Sequence, residues 1–257
     1  DIAMSKQPLD ERYNTYAVSF IKACFNKILS QSLQLPVSAL AILPSKFEGI
    51  YIEDSTAFQL PKELAHFYAS AGGDTSASVK IDYAYELLSG QSKYLQIRDG
   101  KCNDARFLDK PDTLIQAHHL YLRDLGYYKM DEFSKIIAAD AHFVSRYKSG
   151  TNIYTKTINK EDNTEEYILV DLKQLLKSVS EQKNIPIFLS EQKIPVQLFI
   201  EKLPELVAQE KRRQLKAKVA KNKNWTLSEE RKLLCDFNLY IADRNIGLTL
   251  KQIVMVY

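Results

Sequence analysis

Short apolar runs separated by polar turns dominate the first part of the chain and predict a helix followed by three strands. Residues 10–34 place apolar side chains at helical spacing. The run from Phe47 to Ile52 predicts a first strand, and the partly alternating segment from Ser76 to Leu88 predicts a second. Residues 94–98 predict a third strand, which would pair with the second as a hairpin across the turn Ser89-Gly90.

Helices and strands then alternate up to Gly150. Periodicity predicts a helix over 112–119, a strand over 120–123, a helix over 130–138 and a strand over 142–146. The resulting order, β-β-β-α-β-α-β, is typical of a mixed sheet, because crossover helices join parallel strands. The fold class predicted from this pattern is α/β, with a mixed sheet flanked by helices.

The pattern changes in character after Gly150. A hairpin is predicted around the polar stretch 159–164, and a basic helix over 204–223 precedes a helix capped by Ser228. We therefore expect a separate β-rich lobe, from about Thr151 to Lys223, inserted before a returning strand over 237–242. The four strands expected in this lobe span 152–158, 166–172, 185–189 and 196–200.

Composition narrows the choice of function only slightly. The 257 residues carry 35 basic and 32 acidic side chains, and a net charge of +3 does not by itself indicate nucleic-acid binding. Three widely spaced cysteines argue against a disulfide framework or a zinc site and favour a reducing cytoplasm. No apolar run reaches the roughly 18 residues that span a bilayer.

Two aspartates follow apolar runs and form the candidate catalytic pair. Asp54 comes after the run from Phe47 to Ile52, and Asp124 comes directly after the run from Leu120 to Arg123. If the two strands are neighbours in one sheet, the carboxylates converge and can hold Mg²⁺ against a phosphodiester. The alternative for each aspartate is that it caps the turn that follows its strand.

A basic segment without any acidic residue is the candidate nucleic-acid contact. The 13 residues from Lys211 to Lys223 carry seven positive charges and no acid, which favours contact with phosphates. The alternative is a solvated helix face. Trp225, close to this segment, either stacks on a base or is buried against the next helix. The basic residues are Lys211, Arg212, Arg213, Lys216, Lys218, Lys221 and Lys223.

The four histidines lack the spacing of metal ligands and are interpreted as structural. They are His66, His118, His119 and His142.

The stretch from Glu53 to Pro61 resembles the first catalytic block of bacterial insertion-sequence transposases of the Asp-Asp-Glu class, in the group marked by a Tyr-Arg-Glu-Lys signature. Residues 77–81, 124–127 and 143–148 are similar to that group too, and the resemblance runs over nearly the whole chain. It implies a ribonuclease-H-like sheet interrupted by a β-rich insertion.

The resemblance also implies a division of the chain into four parts. Residues 1–45 would be an N-terminal helical connector, and residues 46–150 the first part of the ribonuclease-H-like catalytic core. Residues 151–236 would be the β-rich insertion with its basic helix. Residues 237–257 would hold the returning strand and the start of the last core helix.

By resemblance, Asp54 and Asp124 are the first two catalytic carboxylates and ligands of Mg²⁺ or Mn²⁺ in a DNA transposase. Tyr257 corresponds to the tyrosine of the signature, so the third carboxylate is expected beyond Tyr257. The chain is then expected to be a fragment or the product of a truncated gene, and inactive alone. The sequence departs from the family's pattern at one point. The family usually has an asparagine near the end of the returning strand, and this chain reads Tyr240-Ile241-Ala242-Asp243-Arg244-Asn245 there.

The implied partner is double-stranded DNA, at the ends of the insertion sequence and at its target, with self-association on DNA and no membrane. The implied location is the bacterial cytoplasm, in association with the nucleoid. Lys80, Arg146 and Lys148 join the basic segment as expected DNA contacts. Two alternatives stay open: a catalytically inert DNA-binding remnant of a transposase, and a hydrolytic nuclease of the same fold.

Overall fold

The computed structural model describes residues 14–32, 47–102, 115–159, 163–221 and 228–257. The chain divides into two compact units. The first unit comprises residues 1–45 and 49–101, and the second comprises residues 46–48 and 102–257.

The first unit is a three-stranded antiparallel sheet with a helix, as the apolar pattern predicts. Strand β2 lies between β3 and β1 and pairs with both. The β2–β3 hairpin turns through Ser89-Gly90, and Gly90 has a φ of 69°, which glycine adopts readily. The elements are α1 (Thr15–Ser32), β1 (Gly49–Leu60), β2 (Ala77–Glu86) and β3 (Gln91–Asp99).

Strand β1 continues well past the point where the apolar run ends, which corrects the predicted position of Asp54. Asp54 lies within the strand, opposite Tyr83 of β2, and the pairing continues to Leu60. The turn alternative for Asp54 is therefore wrong. Thr56 and Phe58 are residue types that favour strands, and the ladder with β2 outweighs the turn propensity of the Asp-Ser pair.

A buried carboxylate fastens the start of β1 to the β2–β3 turn. Glu86 is 5% exposed and accepts hydrogen bonds from the backbone N–H groups of Ile50 (3.0 Å), Leu88 (2.9 Å) and Ser89 (2.6 Å). Burial alone would raise the pKa of Glu86, but these bonds together with one from the Ser89 hydroxyl lower it.

Replacing Glu86 with glutamine is expected to destabilise the protein at pH 7 by about 1–3 kcal/mol, because buried N–H groups lose their charged acceptor. A lowered pKa means that this contribution is present above the ordinary value of 4.5 and is lost as the pH falls through the folded-state pKa. Urea unfolding should therefore show that the difference in free energy of unfolding between wild type and Glu86→Gln becomes smaller as the pH falls below that value. A difference in free energy of unfolding that does not depend on pH would contradict the role given to the carboxylate.

The second unit is built on one mixed sheet with the strand order β4-β5-β10-β9-β8-β6-β7. Strands β4 and β5 are parallel and are joined through a helix, whereas β10 is antiparallel to β5. The predicted α/β class with a mixed sheet and flanking helices is confirmed. The strands are β4 (His119–Arg123), β5 (His142–Arg146), β6 (Ile153–Ile158), β7 (Glu165–Leu169), β8 (Gln182–Leu189), β9 (Ile194–Lys202) and β10 (Phe237–Asp243). The helices are α2 (Met130–Ala138), α3 (Leu172–Lys177), α4 (Glu205–Lys221), α5 (Glu229–Leu234) and α6 (Leu250–Val256).

The prediction of a separate β-rich lobe is wrong. Strand β9 pairs with β10 from Phe237–Lys202 to Asp243–Val196, so strands β6 to β9 extend the same sheet as one layer. Pairing satisfies the backbone groups along the edge of β10, and Leu198 and Ile200 of β9 are fully buried. The two compact units divide after Lys101 rather than at Gly150. The domain limits implied by the resemblance stay predictions.

Local sequence signals explain two smaller differences. The strand expected over 166–172 ends at Leu169, because Asp171 starts helix α3 by accepting hydrogen bonds from the N–H groups of Lys173 and Gln174. The helix expected over 112–119 lies mostly outside the described residues. Its described part, from residue 115 onward, is not helical, and His119 already belongs to β4.

Aromatic packing fixes helix α2 on strand β5. The Phe133 ring is fully buried, stacks on Phe143 with ring centroids 4.4 Å apart, and meets the edge of Tyr128 at 5.1 Å. His142, at the start of β5, contacts Asp243 at 3.1 Å. Asp243 also accepts a hydrogen bond from the N–H of Phe143 at 3.2 Å. This pairing supports a structural role for His142.

Candidate active site and nucleic-acid interface

Asp54 presents an exposed carboxylate from within strand β1 of the first unit. Its Oδ1 accepts a hydrogen bond from the N–H of Ser55 at 2.7 Å. Strand alternation and the register place Ile52 and Thr56 on the same face of the sheet, together with Tyr83 across the ladder. The carboxylate is thus held on a strand rather than on a flexible turn.

Asp124 follows β4 directly, as predicted, and stands at the start of a short 3₁₀ turn, Leu125–Tyr127. The turn is closed by the backbone of Asp124, whose carbonyl accepts a hydrogen bond from the N–H of Tyr127 at 3.0 Å. Its exposed side chain makes no capping hydrogen bond. The carboxylate therefore has no structural task in this turn, which removes the capping alternative.

The end of helix α6 lies beside Asp124. Thr249 and Gln252 form a capping box at the start of this helix. At its other end the Tyr257 hydroxyl donates a hydrogen bond to the carbonyl of Arg123 at 3.0 Å. Burial and, after it, the charge of Asp124 raise the pKa of Tyr257 to about 12. The sheet thus holds the last turn of a helix that is too short to be stable alone.

Two cations converge on the same region. The Arg146 guanidinium lies 5.4 Å from the centroid of the Tyr257 ring. Lys211 donates a hydrogen bond to Oδ1 of Asn238 at 2.8 Å, and burial followed by the charge of Arg146 lowers its pKa. The Glu201 carboxylate, which accepts a hydrogen bond from Nδ2 of Asn238 at 3.0 Å, partly opposes this lowering of the Lys211 pKa. Asp124, Arg146, Lys211 and Tyr257 thus form one cluster, which we call the β4-end cluster.

The other predicted site residues are placed as follows. Asp54 and Asp124 belong to different compact units, so their approach stays a prediction. Lys80 is 9% exposed and pairs with Ala57, which puts it on the sheet face opposite Asp54. This geometry does not favour DNA contact by Lys80. Lys148 is exposed, with its Nζ 5.9 Å from the centroid of the Tyr128 ring.

The basic segment forms helix α4, but part of its charge is already paired. Arg212 forms ion pairs with Glu205 and Asp236, and Arg213 pairs with Glu210 at 2.8 Å. These acids lie before the basic run or on a neighbouring segment, so counting charges within the run overlooked them. Lys216, Lys218 and Lys221 are exposed and form no ion pair among the described residues. Lys223 and Trp225 lie outside the described residues.

The donor chemistry of the two aspartates fits a hard divalent cation, because carboxylate oxygens are its preferred ligands. In the described part of the chain, no three His, Cys, Asp or Glu side chains are grouped closely enough to hold a metal ion. A metal ion held by either aspartate would therefore need further ligands, such as water or phosphate oxygens. Across the same residues, no helix is long and apolar enough to cross a membrane.

Comparison with known proteins decides the family. The sequence profile described as "Transposase DDE domain" matches residues 45–233, which is well over half of the chain. The chain belongs to the DDE transposase family. Domains of this family depend on a divalent metal ion.

Named relatives are similar over most of the chain. The transposase for insertion sequence element IS231F of Bacillus thuringiensis subsp. israelensis is 30% identical over 251 residues, which cover 93% of this chain and 53% of the relative. The transposase for IS1151 of Clostridium perfringens is 31% identical over 192 residues, covering 72% of this chain and 41% of the relative. The chain thus spans about half the length of the curated relatives it matches.

A solved structure of the piggyBac transposase synaptic complex with hairpin DNA is also similar. It shows 10% identity and a TM-score of 0.39, covering 82% of this chain and 37% of that chain.

The sequence indicated most of the β4-end cluster, but not its arrangement. Asp124 and Arg146 follow from the strand pattern and the resemblance, and Lys211 from its place in a basic run. The contact between Lys211 and Asn238 joins residues that are far apart in the chain, which no periodicity predicts.

Proposed function

We propose that this chain is part of an insertion-sequence transposase that cleaves a DNA strand at the end of its element and joins the freed 3′-hydroxyl to another phosphodiester. The β4-end cluster carries the proposal. It sets a carboxylate without a structural task beside two converging cations, as a phosphate next to a metal ion requires. Membership of the DDE transposase family and the names of the relatives support it.

In this proposal Asp54 and Asp124 hold Mg²⁺ or Mn²⁺ through their carboxylate oxygens. A bound pair of such ions stabilises negative charge on the attacking and leaving oxygens of a phosphodiester. Arg146 and Lys211 bind the phosphate beside Asp124, and their fixed positions spare the complex the cost of ordering them. Tyr257 stays neutral at physiological pH and keeps the end of helix α6 against β4.

Duplex DNA is the proposed partner, bound along helix α4 by its unpaired lysines as well as at the β4-end cluster. Each lysine that neutralises a phosphate releases condensed counterions, so affinity falls with rising salt. Self-association on DNA and a location at the nucleoid belong to the same proposal and stay predictions.

Neutralising Lys216, Lys218 and Lys221 together with glutamine is expected to weaken binding to a 30-base-pair duplex. The slope of log K against log salt should become shallower by about 2.7, since each lost phosphate contact removes about 0.9. Fluorescence anisotropy between 50 and 200 mM salt measures both quantities.

The matched control removes three exposed lysines that lie outside α4, at Lys62, Lys101 and Lys177. This control should leave the slope near that of wild type. A slope for the α4 variant equal to that of the control would show that the helix does not bind DNA. Binding by wild type that is insensitive to salt would contradict the proposed function as a whole.

A further inference from the structure

Asn238 uses both ends of its side-chain amide, and its two partners carry opposite charges. Its Oδ1 accepts a hydrogen bond from Nζ of Lys211 at 2.8 Å, and its Nδ2 donates one to Oε2 of Glu201 at 3.0 Å. An amide that accepts from an ammonium and donates to a carboxylate has one orientation that satisfies both. The two charged neighbours therefore fix the orientation of Asn238.

The strand register puts this bridge on the sheet face of the β4-end cluster. Asn238 in β10 stands opposite Glu201 in β9, and directly paired residues point to the same face. Tyr240, two residues further along β10, shares that face and is paired with Arg146 in β5. Lys211 reaches the bridge from helix α4. The bridge and both cations of the cluster therefore lie on one face.

Lys211 differs in its partner from the cations that follow it in helix α4. Arg212 and Arg213 both form ion pairs with acidic side chains. Lys211 forms no ion pair among the residues that the structure describes, and its ammonium contacts the neutral amide of Asn238 instead. An amide holds a cation without cancelling its charge, and two of the three ammonium donors remain available for another ligand.

Glu201 is the acid that would attract Lys211 if the amide were absent. It stands directly opposite Asn238, and such cross-strand neighbours have Cβ atoms about 4.5–5.5 Å apart. The charge of Glu201 already acts on Lys211, since it opposes the lowering of the Lys211 pKa by burial and by Arg146. A lysine side chain is flexible enough to turn between nearby acceptors. Loss of the amide would therefore let the ammonium and the carboxylate pair directly.

We propose that Asn238 is a positioning residue for DNA binding, which holds Lys211 at the β4-end cluster through a neutral contact and keeps it out of an ion pair with Glu201. The charge of Lys211 then stays available for a phosphate. The inference rests on the proposed function, in which the β4-end cluster binds a phosphate of DNA. Asn238 acts through Lys211 and does not itself contact the DNA.

Binding of the whole chain to a 30-base-pair duplex, followed by fluorescence anisotropy between 50 and 200 mM salt, tests the inference. Asn238→Leu keeps most of the side-chain size and removes both hydrogen bonds. It is expected to make the log K–log salt slope shallower by about 0.9, as Lys211→Gln should, because each variant loses one phosphate contact. The double variant Asn238→Leu/Lys211→Gln should show no further change, since both substitutions act on the same contact.

A second substitution separates positioning from a purely structural role. In Asn238→Leu/Glu201→Gln the competing carboxylate is gone, so the charge of Lys211 is available again and the slope should return nearly to the wild-type value. Removing Glu201 would not repair a structural defect at position 238. A slope for this double variant equal to that of Asn238→Leu alone would overturn the inference.

The matched control is Asn152→Leu. Asn152 also donates its amide N–H to a carboxylate, that of Glu191 at 3.3 Å, and lies outside the β4-end cluster. This variant should keep the wild-type slope, and a loss equal to that in Asn238→Leu would overturn the inference. Thermal unfolding identifies any variant that fails to fold. If Asn238→Leu fails, Asn238→Ala removes the same two bonds without apolar bulk and replaces it in every comparison.

The outcomes distinguish this inference from the proposed function. If Lys211→Gln makes the slope shallower but Asn238→Leu does not, Lys211 binds phosphate and only the role of Asn238 is overturned. If neither variant changes a salt-dependent wild-type slope, Lys211 makes no phosphate contact, and the inference fails while binding through the other lysines of α4 stands. If wild type itself shows no salt-dependent binding, the proposed function fails as well.

Discussion

Replacing Asp124 with asparagine is expected to weaken Mn²⁺ binding by at least about tenfold, and replacing Asp54 should do the same. Each change removes one charged oxygen ligand from a site that depends on few of them, and even partners that do not touch the metal affect its affinity by about 10- to 100-fold. Isothermal titration of the whole chain with Mn²⁺ gives the affinities directly.

The controls are two exposed aspartates that lie outside the candidate site, Asp74 in the first unit and Asp140 in the second. Asparagine at either position should leave Mn²⁺ binding unchanged, because neither belongs to the proposed ligand pair. Equal losses in the controls would indicate nonspecific surface binding. Wild-type affinity in both Asp54→Asn and Asp124→Asn would contradict the assignment of the pair.

The largest loss of stability is expected at Phe133, whose replacement by alanine should cost about 3–5 kcal/mol in free energy of unfolding. The ring is fully buried between Phe143 and Tyr128, so truncation leaves a cavity that the sheet and helix α2 cannot close completely. Denaturant unfolding followed by circular dichroism measures the change.

Phe133→Leu is the matched control, since it keeps most of the apolar volume and loses only the aromatic contacts. It should cost clearly less than Phe133→Ala. A cost below about 1 kcal/mol for alanine would show that α2 does not pack on β5 in this way.

Apolar pattern predicted most of the individual elements, because each depends on local periodicity and local caps. Helix α2 and strand β5 have the predicted bounds, and Thr249 caps α6 as its sequence indicates. The arrangement of the strands was harder to predict. Nothing in residues 151–200 distinguishes strands of a separate lobe from strands that extend the sheet at β10, because that choice depends on pairing between distant segments.

The candidate site shows the same division between local and long-range information. Asp124 was identifiable from its place after an apolar run, and the structure adds that its carboxylate makes no capping bond. The ion pair between Arg212 and Asp236 was not identifiable from the basic run, because Asp236 comes from a segment beyond it. Glu210, which pairs with Arg213, stands one position before the run and was missed because only charges within the run were counted.

Cleavage of the polypeptide by Fe²⁺ tests most directly whether Asp54 and Asp124 share one metal site. Fe²⁺ bound in place of Mg²⁺ or Mn²⁺, with ascorbate and peroxide, generates hydroxyl radicals that cut the backbone within a short distance of the ion. We expect cuts near both residue 54 and residue 124 in wild type, both suppressed by excess Mg²⁺ and both lost in Asp54→Asn. Loss of the cut near residue 54 alone, with the cut near residue 124 intact, would show two independent sites and contradict the shared metal.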